Sequence, residues 1–272
     1  MARYFIGTSG WSFDFWKGSF YPYHTHNYLE YYSNQASVVE IISTFYEIPS
    51  ISLVQEWDSR TPSDFSFSAK MPKQITHHSQ HFNPEMVQLF LDRMNLLSDK
   101  LKFILIQMPP NFNKTIPNIN FIQQLIDTSK KMTHAQIAVE FRDDSWFTEE
   151  TYKLLYDCIV VNTPFIHVSL SRQLAMHLDN LAADIYIRLF SSQKDITDED
   201  MGKQRLDRRV EISTLVDILK TFNSRLRDVY ILVSNQFSGD ATEDAQKIHN
   251  EFEHRGLSAD GFMSQMSLGD FF

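Results

Sequence analysis

The sequence predicts a single (β/α)₈ TIM barrel with irregular spacing between its repeats. Its 272 residues are close to the roughly 250 that this fold usually has. Eight short runs rich in β-branched and aromatic residues recur along the chain, and amphipathic helical patterns separate them. An open, doubly wound sheet is the alternative, because the same alternation of strand and helix builds it without closure.

The predicted strands are short enough and apolar enough to be buried on both faces of a parallel sheet. In chain order they span residues 4–7, 37–42, 65–70, 103–107, 136–141, 158–162, 185–189 and 229–234. Between them, apolar residues three or four positions apart predict helices, most clearly within 53–57, 86–97, 212–222 and 241–252. Asn83 before Pro84 is typical of a helix start, and Asp240 with Glu243 is typical of a capping box.

Composition limits the domain organisation and the partners. No Gly/Ser-rich linker divides the chain, so we expect one barrel domain over residues 1–260 and a short tail over 261–272. The formal net charge of −9 argues against binding nucleic acid over the whole surface, although a local patch stays compatible with it. Cys158 is the single cysteine, so we expect a reducing, cytoplasmic location. No apolar run approaches the roughly 20 residues that cross a bilayer, and no membrane partner is expected.

Polar side chains follow most of the predicted strands. The C-terminal ends of TIM-barrel strands carry the binding and catalytic groups, so we expect these side chains to meet at one mouth. Glu40 and Glu140 are candidate acid/base catalysts or cation ligands, and His77 is a candidate for assisting proton transfer. The candidates for binding substrate or phosphate are Ser9, Trp11, Tyr46, Lys70, Gln107, Arg142, Arg188 and Asn235. The alternative is a buried salt-bridge network that fills the mouth.

Histidines near the predicted mouth raise the question of a metal, since imidazole is a common ligand. They are His24, His26, His77, His78 and His81. No helix carries the His-Glu-x-x-His spacing, and the predicted rim lacks aspartates. A divalent metal is therefore not favoured, no metal ligand is assigned, and no cofactor is identified.

Five motifs give a more specific signal. They are IGTSGWS at 6–12, VEIISTFY at 39–46, KMP at 70–72, QMPP at 107–110 and VEFR at 139–142. In this order they resemble the YecE-like family, a TIM-barrel group of unknown function. The resemblance implies the barrel fold and no particular activity. The chain departs from the family pattern at Phe190, where the family has histidine after Arg-Leu. If that histidine is an obligatory acid/base, this member has altered or absent activity.

The last eight residues carry another motif. Gln265, Leu268, Phe271 and Phe272 fit Gln-x-x-(Leu/Ile/Met)-x-x-aromatic-aromatic and resemble the PIP box that binds the sliding clamp PCNA. One helical turn would bring the three apolar side chains into a plug, with the glutamine in a separate pocket. The resemblance implies a clamp of archaeal or eukaryotic type as a partner. The alternative is a tail that docks on its own barrel.

Three functional hypotheses follow. The first is a barrel in nucleic-acid metabolism that binds a phosphate-containing ligand at its rim. Recruitment by the sliding clamp would raise its local concentration at DNA without non-specific affinity. The second is an enzyme that acts on a small sugar or sugar phosphate with the same carboxylates and cations. The third is a non-catalytic ligand-binding barrel, which Phe190 in place of histidine favours.

Overall fold

The computed structural model describes residues 2–77, 82–164, 166–180, 183–191 and 195–262. Eight parallel strands lie in the order β6-β5-β4-β3-β2-β1-β8-β7. They are β1 (Arg3–Ser9), β2 (Val38–Ile41), β3 (Ser66–Lys70), β4 (Leu101–Gln107), β5 (Gln136–Glu140), β6 (Ile159–Val160), β7 (Ile185–Leu189) and β8 (Asp228–Val233). A two-residue strand, β9 (Ala259–Asp260), pairs with β1.

Helices follow or precede the strands in the predicted alternation. They are α1 (Tyr28–Ser33), α2 (Ile51–Ser59), α3 (Lys73–Thr76), α4 (Pro84–Met94), α5 (Ile116–Lys130), α6 (Glu149–Leu154), α7 (Leu170–Asn180), α8 (Arg209–Phe222) and α9 (Ala241–His254). Short 3₁₀ turns occupy Asp14–Trp16, Ser43–Phe45, Asn95–Lys100, Asp144–Trp146 and Asp198–Asp200. No helix among the described residues is long and apolar enough to cross a membrane.

The sheet comes close to full closure between β6 and β7. Asn162, just past β6, forms an isolated parallel bridge with Ile187 of β7. Its amide donates to the Tyr186 carbonyl at 2.8 Å, and its carbonyl accepts from the Arg188 amide at 3.0 Å. This connection confirms the (β/α)₈ barrel and excludes the open sheet. The short interval between β5 and β6 contains only the six-residue helix α6 and a 3₁₀ turn.

Local signals start two helices where the sequence predicts them. Asn83 accepts from the Met86 amide at 3.1 Å, and Pro84 occupies the first turn of α4. Asp240 accepts from the amides of Thr242 and Glu243 at 2.9 and 3.3 Å, which caps α9. The Glu243 carboxylate accepts from Lys247 Nζ at 2.7 Å rather than completing the predicted capping box.

The barrel interior is a packed core below its C-terminal end. Phe103 lies 4.8 Å from Tyr230 and 5.1 Å from Tyr186 between ring centroids. Side chains alternate between the two faces of a strand, so every second residue points inward. Phe5 and Ser9 share a face of β1 with Gly7, where a Cβ would lie 2.2 Å from the Val38 carbonyl oxygen. Glycine therefore permits close packing of β1 on β2.

Candidate functional site

A cavity of about 1030 Å³ opens at the C-terminal ends of the strands. Eight of the eleven predicted site residues line it: Ser9, Tyr46, Lys70, His77, Gln107, Arg142, Arg188 and Asn235. Aromatic side chains form much of its wall, namely Phe13, Phe15, Phe45 and Phe190. The volume lies at the upper end of what small-molecule sites usually enclose.

Trp11 is the predicted binding residue that the structure removes from the site. Gly10 has a φ of 88°, a conformation that favours glycine, and it turns the chain immediately after β1. Trp11 then packs edge-on against Trp57 of α2, with ring centroids 5.6 Å apart. Its indole contributes to the packing of the first loop and does not line the cavity, and its role in binding ligand stays a prediction.

Glu40 and Glu140 lie beneath the cavity floor and are fully buried. Arg188, at the end of β7, joins them. Its Nε and Nη2 donate to the two carboxylate oxygens of Glu40 at 2.8 and 2.7 Å, and its Nη1 donates to Glu140. Tyr186, two residues earlier on the same face of β7, donates to Glu40 at 2.8 Å. The two carboxylates thus meet through a shared guanidinium, as in the buried network that the sequence leaves open.

Glu140 is held in its charged form. Burial alone raises the pKa of this carboxyl, but the nearby charges of Arg188, Arg142 and Lys70 outweigh it and bring the pKa to about 2. Arg142 Nε also donates to Glu140 at 2.6 Å. A general acid or base works best with a pKa near the operating pH. The geometry therefore supports an anchoring role for Glu140, and its catalytic role, like those of Glu40 and His77, stays a prediction.

Lys70 contributes a largely buried amine to the cavity floor. Its Nζ lies 3.8 Å from the centre of the Phe45 ring, a cation–π contact. Across the described ranges of the chain, its amine has no hydrogen-bond or ion-pair partner. Burial disfavours the ammonium and Arg188 repels it, which lowers the pKa to about 8 although Glu40 and Glu140 act in the opposite direction. The amine therefore loses its proton within reach of neutral pH.

Arg142 presents an unsatisfied guanidinium edge. Only its Nε is bonded, to Glu140; within the part of the chain that the structure describes, its two terminal nitrogens donate to no acceptor. The guanidinium carbon lies 3.9 Å from the centre of the Phe190 ring. Phe190, which stands where the YecE-like pattern has histidine, thus packs on Arg142 and leaves its terminal nitrogens able to bind an anion.

The remaining floor residues differ in the hydrogen bonds that they make within the protein. Asn235 Oδ1 accepts from Trp16 Nε1 at 3.1 Å and from the Ala241 amide at 2.9 Å, which orients its side chain. The Ser9 hydroxyl is buried and has no partner among the described residues. His77 Nδ1 lies 2.8 Å from Thr76 Oγ1, and its Nε2 lies 3.5 Å from Gln107 Nε2. The floor thus offers hydroxyl, amide and imidazole groups around the cations.

The charges of the floor do not cancel. Lys70, Arg142 and Arg188 are cations, whereas Glu40 and Glu140 are the anions that contact this group. One net positive charge is left when Lys70 is protonated. Asp198 also lines the cavity, but it lies at the exposed outer rim, where solvent screens it. The floor therefore favours an anionic ligand.

Several contributors were not recognised from the sequence. Phe45, which lies inside the VEIISTFY motif, joins the aromatic wall, whereas the aromatic residues of the first loop are evident in the sequence. Tyr186 donates its hydroxyl proton to Glu40, and Ser68 Oγ, also 2.8 Å from the Tyr186 hydroxyl oxygen, can donate to that oxygen. The available signal was the period of two along β3 and β7, which places Ser68 below Lys70 and Tyr186 below Arg188.

The structure describes only some of the residues behind the metal prediction, and none of those behind the tail prediction. Among the described residues, no group of three or more His, Cys, Asp or Glu side chains could hold a metal ion. His78 and His81 lie outside the described residues. The tail motif, Gln265, Leu268, Phe271 and Phe272, also lies outside them. Clamp binding therefore stays a prediction from the sequence.

The fold and the cavity define a (β/α)₈ barrel with a cationic, ligand-sized site at its C-terminal mouth. The chain belongs to the family described as Protein of unknown function DUF72, whose model matches residues 5–265. It is 30% identical to the UPF0759 protein YunF of Bacillus subtilis over 158 residues, which cover 55% of this chain and 54% of that protein. It is 33% identical to the UPF0759 protein YecE of Escherichia coli over 86 residues, 31% of each chain. The chain thus matches about half, or less, of the length of these curated relatives.

Solved structures share the barrel. A DUF72 family protein of Thermotoga maritima is 25% identical, with a TM-score of 0.72 over 92% of this chain and 99% of that chain. A DUF72 family protein of Enterococcus faecalis is 20% identical, with a TM-score of 0.71 over 98% of this chain and 99% of that chain. The predicted YecE-like resemblance and its fold are confirmed, and the family description carries no activity.

Proposed function

We propose that the barrel binds a small phosphate-containing molecule in the C-terminal cavity. The observation that carries this proposal is the pairing state of the floor cations: Arg188 is neutralised by two carboxylates, whereas Arg142 keeps two bare terminal nitrogens and Lys70 keeps an unpaired amine. A guanidinium edge forms bidentate, charge-assisted hydrogen bonds with phosphate oxygens. The buried Ser9 hydroxyl supplies a further donor beside them.

Titration calorimetry with inorganic phosphate tests this proposal. Replacing Arg142 with glutamine removes hydrogen bonds to a charged group, each of which contributes about 1.5–3 kcal/mol. Loss of one such bond lowers phosphate affinity about 10- to 150-fold, and loss of both bonds from the terminal nitrogens lowers it further. The matched control is Arg205→Gln, because Arg205 is a half-exposed arginine paired with Asp200 at 3.1 Å outside the cavity. Equal phosphate affinity for the wild type and the Arg142 variant, or no binding by the wild type, would contradict the proposal.

A role in nucleic-acid metabolism with clamp recruitment is a second proposal. The observation that favours it is the tail pattern formed by Gln265, Leu268, Phe271 and Phe272. A tethered barrel could act on a phosphorylated group of DNA without a basic outer surface. The two proposals are independent, because the cavity can bind phosphate whether or not the tail binds a clamp.

Action on a sugar phosphate is favoured by a different observation, the lowered pKa of Lys70. An amine that can be neutral near physiological pH serves catalysis as well as binding. A purely binding barrel would instead use the amine only as a cation. Covalent chemistry at Lys70 separates these two alternatives.

A further inference from the structure

The Lys70 amine occupies a position suited to a nucleophile. It lines the cavity at the end of β3, and across the described ranges no carboxylate, carbonyl or hydroxyl group hydrogen-bonds to it. The aromatic face of Phe45 covers one side of the amine at 3.8 Å. A structural lysine in a barrel mouth would be expected to pair with a carboxylate, yet Glu40 and Glu140 are both engaged by Arg188.

The groups around Lys70 provide separate contacts for the two ends of a substrate that carries an anionic group and an electrophilic group. Arg142 presents its terminal nitrogens to the same cavity, as described above, and interacts electrostatically with Lys70. The His77 ring packs edge-on against Phe45, with centroids 5.0 Å apart, so imidazole and amine contact one aromatic ring. The cavity thus brings together an anion-binding edge, an unpaired amine and a group that can transfer protons.

We propose that Lys70 forms an imine with the carbonyl carbon of a phosphorylated aldehyde or ketone whose phosphate is bound by Arg142. The inference rests on the proposed function, because Arg142 must bind the phosphate for the carbonyl to be positioned. It goes further in naming the substrate class and the reacting atom.

The step needs no oxidant or reductant. The lone pair of the neutral Lys70 Nζ attacks the carbonyl carbon, a C–N bond forms, and the C=O π electrons move to oxygen, which takes up a proton. The resulting carbinolamine loses its hydroxyl group as water after a second protonation, and the nitrogen lone pair forms the C=N bond. The nitrogen gives up the two protons that it carried, so that amine and carbonyl yield imine and water. His77 is placed to transfer these protons.

Reductive trapping tests the inference. The protein is incubated with dihydroxyacetone phosphate or glyceraldehyde 3-phosphate and sodium cyanoborohydride, and peptide mass spectrometry locates the reduced adduct. We expect the adduct on Lys70 in the wild type and in Lys73→Arg. Lys73 is the matched control, because it lies three residues further along the chain, at the start of α3, with its Nζ 5.5 Å from the centre of the Tyr46 ring. Lys70→Arg is expected to lose this adduct while keeping a positive charge.

The pH dependence gives a second readout. The charged and titratable groups that act on Lys70 are Arg188, Glu40, Glu140 and Arg142, and His77 lies nearby. With a pKa of about 8, the neutral fraction of the amine is about 1% at pH 6 and about half at pH 8. The initial trapping rate should therefore rise about 50-fold between these values.

The outcomes separate this inference from the proposed function. Phosphate binding by the wild type without an adduct on Lys70 from either carbonyl compound overturns the imine and leaves the binding site intact. Adducts spread equally over surface lysines, or the same total labelling in Lys70→Arg, overturn it as well. Absence of phosphate binding by the wild-type protein refutes the proposed function itself.

Discussion

Replacing Arg188 with methionine should destabilise the barrel by about 3–5 kcal/mol, the range for removing one partner of a buried ion pair. Arg188 is 5% exposed and is bonded to both Glu40 and Glu140, which are fully buried. Its removal leaves two carboxylates without their shared cation, so the upper half of that range is expected. Arg227→Met is the matched control. It also loses two bonds to a buried carboxylate, Asp184, but the Arg227 side chain is 61% exposed. Asp184 also keeps a hydrogen bond from Gln136 at 3.3 Å, so we expect a smaller loss than for Arg188→Met.

The same substitution should change how stability depends on pH. The pKa of Glu140 is about 2 in the folded protein and 4.5 as its ordinary value. This lowering contributes about 3 kcal/mol that is present above pH 4.5 and is lost as the pH falls towards 2. Without Arg188, the pKa of Glu140 rises from about 2 towards its ordinary value, because burial is then opposed only by Arg142 and Lys70. The variant should therefore lose less stability than the wild type as the pH falls from 4.5 towards 2.

Urea denaturation followed by near-ultraviolet circular dichroism, at several pH values between 2 and 8, measures both effects. The difference between the urea midpoints of Arg188→Met and Arg227→Met measures how much more the buried ion network contributes to stability than the partly exposed pair does. A loss below 1 kcal/mol for Arg188→Met, or a loss no greater than that for Arg227→Met, would refute the reasoning. An Arg188→Met variant whose stability depends on pH in the same way as that of the wild type would also refute it.

Three further predictions test other parts of the molecule. Gly7→Ala places a Cβ 2.2 Å from the Val38 carbonyl oxygen and should cost about 1–3 kcal/mol, read from thermal unfolding; an unchanged melting temperature would contradict this. Phosphate affinity should fall as the pH rises through about 8, because Lys70 loses its charge, and calorimetry at constant ionic strength and pH-corrected phosphate charge would show it; Lys70→Gln should abolish this dependence. The full-length protein should bind a PCNA-type clamp with micromolar or tighter affinity, which Phe271→Ala with Phe272→Ala should lose, and absence of binding by the wild type would remove the clamp proposal.

The strands and most residues of the cavity floor could be predicted from the sequence because both signals, the period of two along a strand and the position at a strand end, are local. A period of two along a buried parallel strand places Glu40, Lys70 and Arg188 on inward positions whatever the partners are. Position at a strand end then places them at one mouth. These rules need no knowledge of three-dimensional pairing, and they located eight lining residues correctly.

Pairing could not be predicted in the same way. That Arg188 bridges both Glu40 and Glu140, and leaves Lys70 without a counterion, depends on side-chain geometry across the barrel. The displacement of Trp11 depends on the positive φ of Gly10, which a glycine permits but does not require. Contacts between residues distant in sequence decided the chemistry of the floor, whereas local patterns decided its location.

The aromatic layer of Phe103, Tyr186 and Tyr230 makes the cavity a blind-ended chamber, because it fills the barrel directly below the ion network. A molecule that reaches Arg188 therefore cannot continue through the barrel and must return towards the C-terminal mouth. Arrival of a new ligand must wait for departure of the previous one, and water displaced from the floor must leave past the incoming molecule. For any reaction at Lys70, the product would consequently compete with the substrate for a single passage, and turnover would be sensitive to accumulated product.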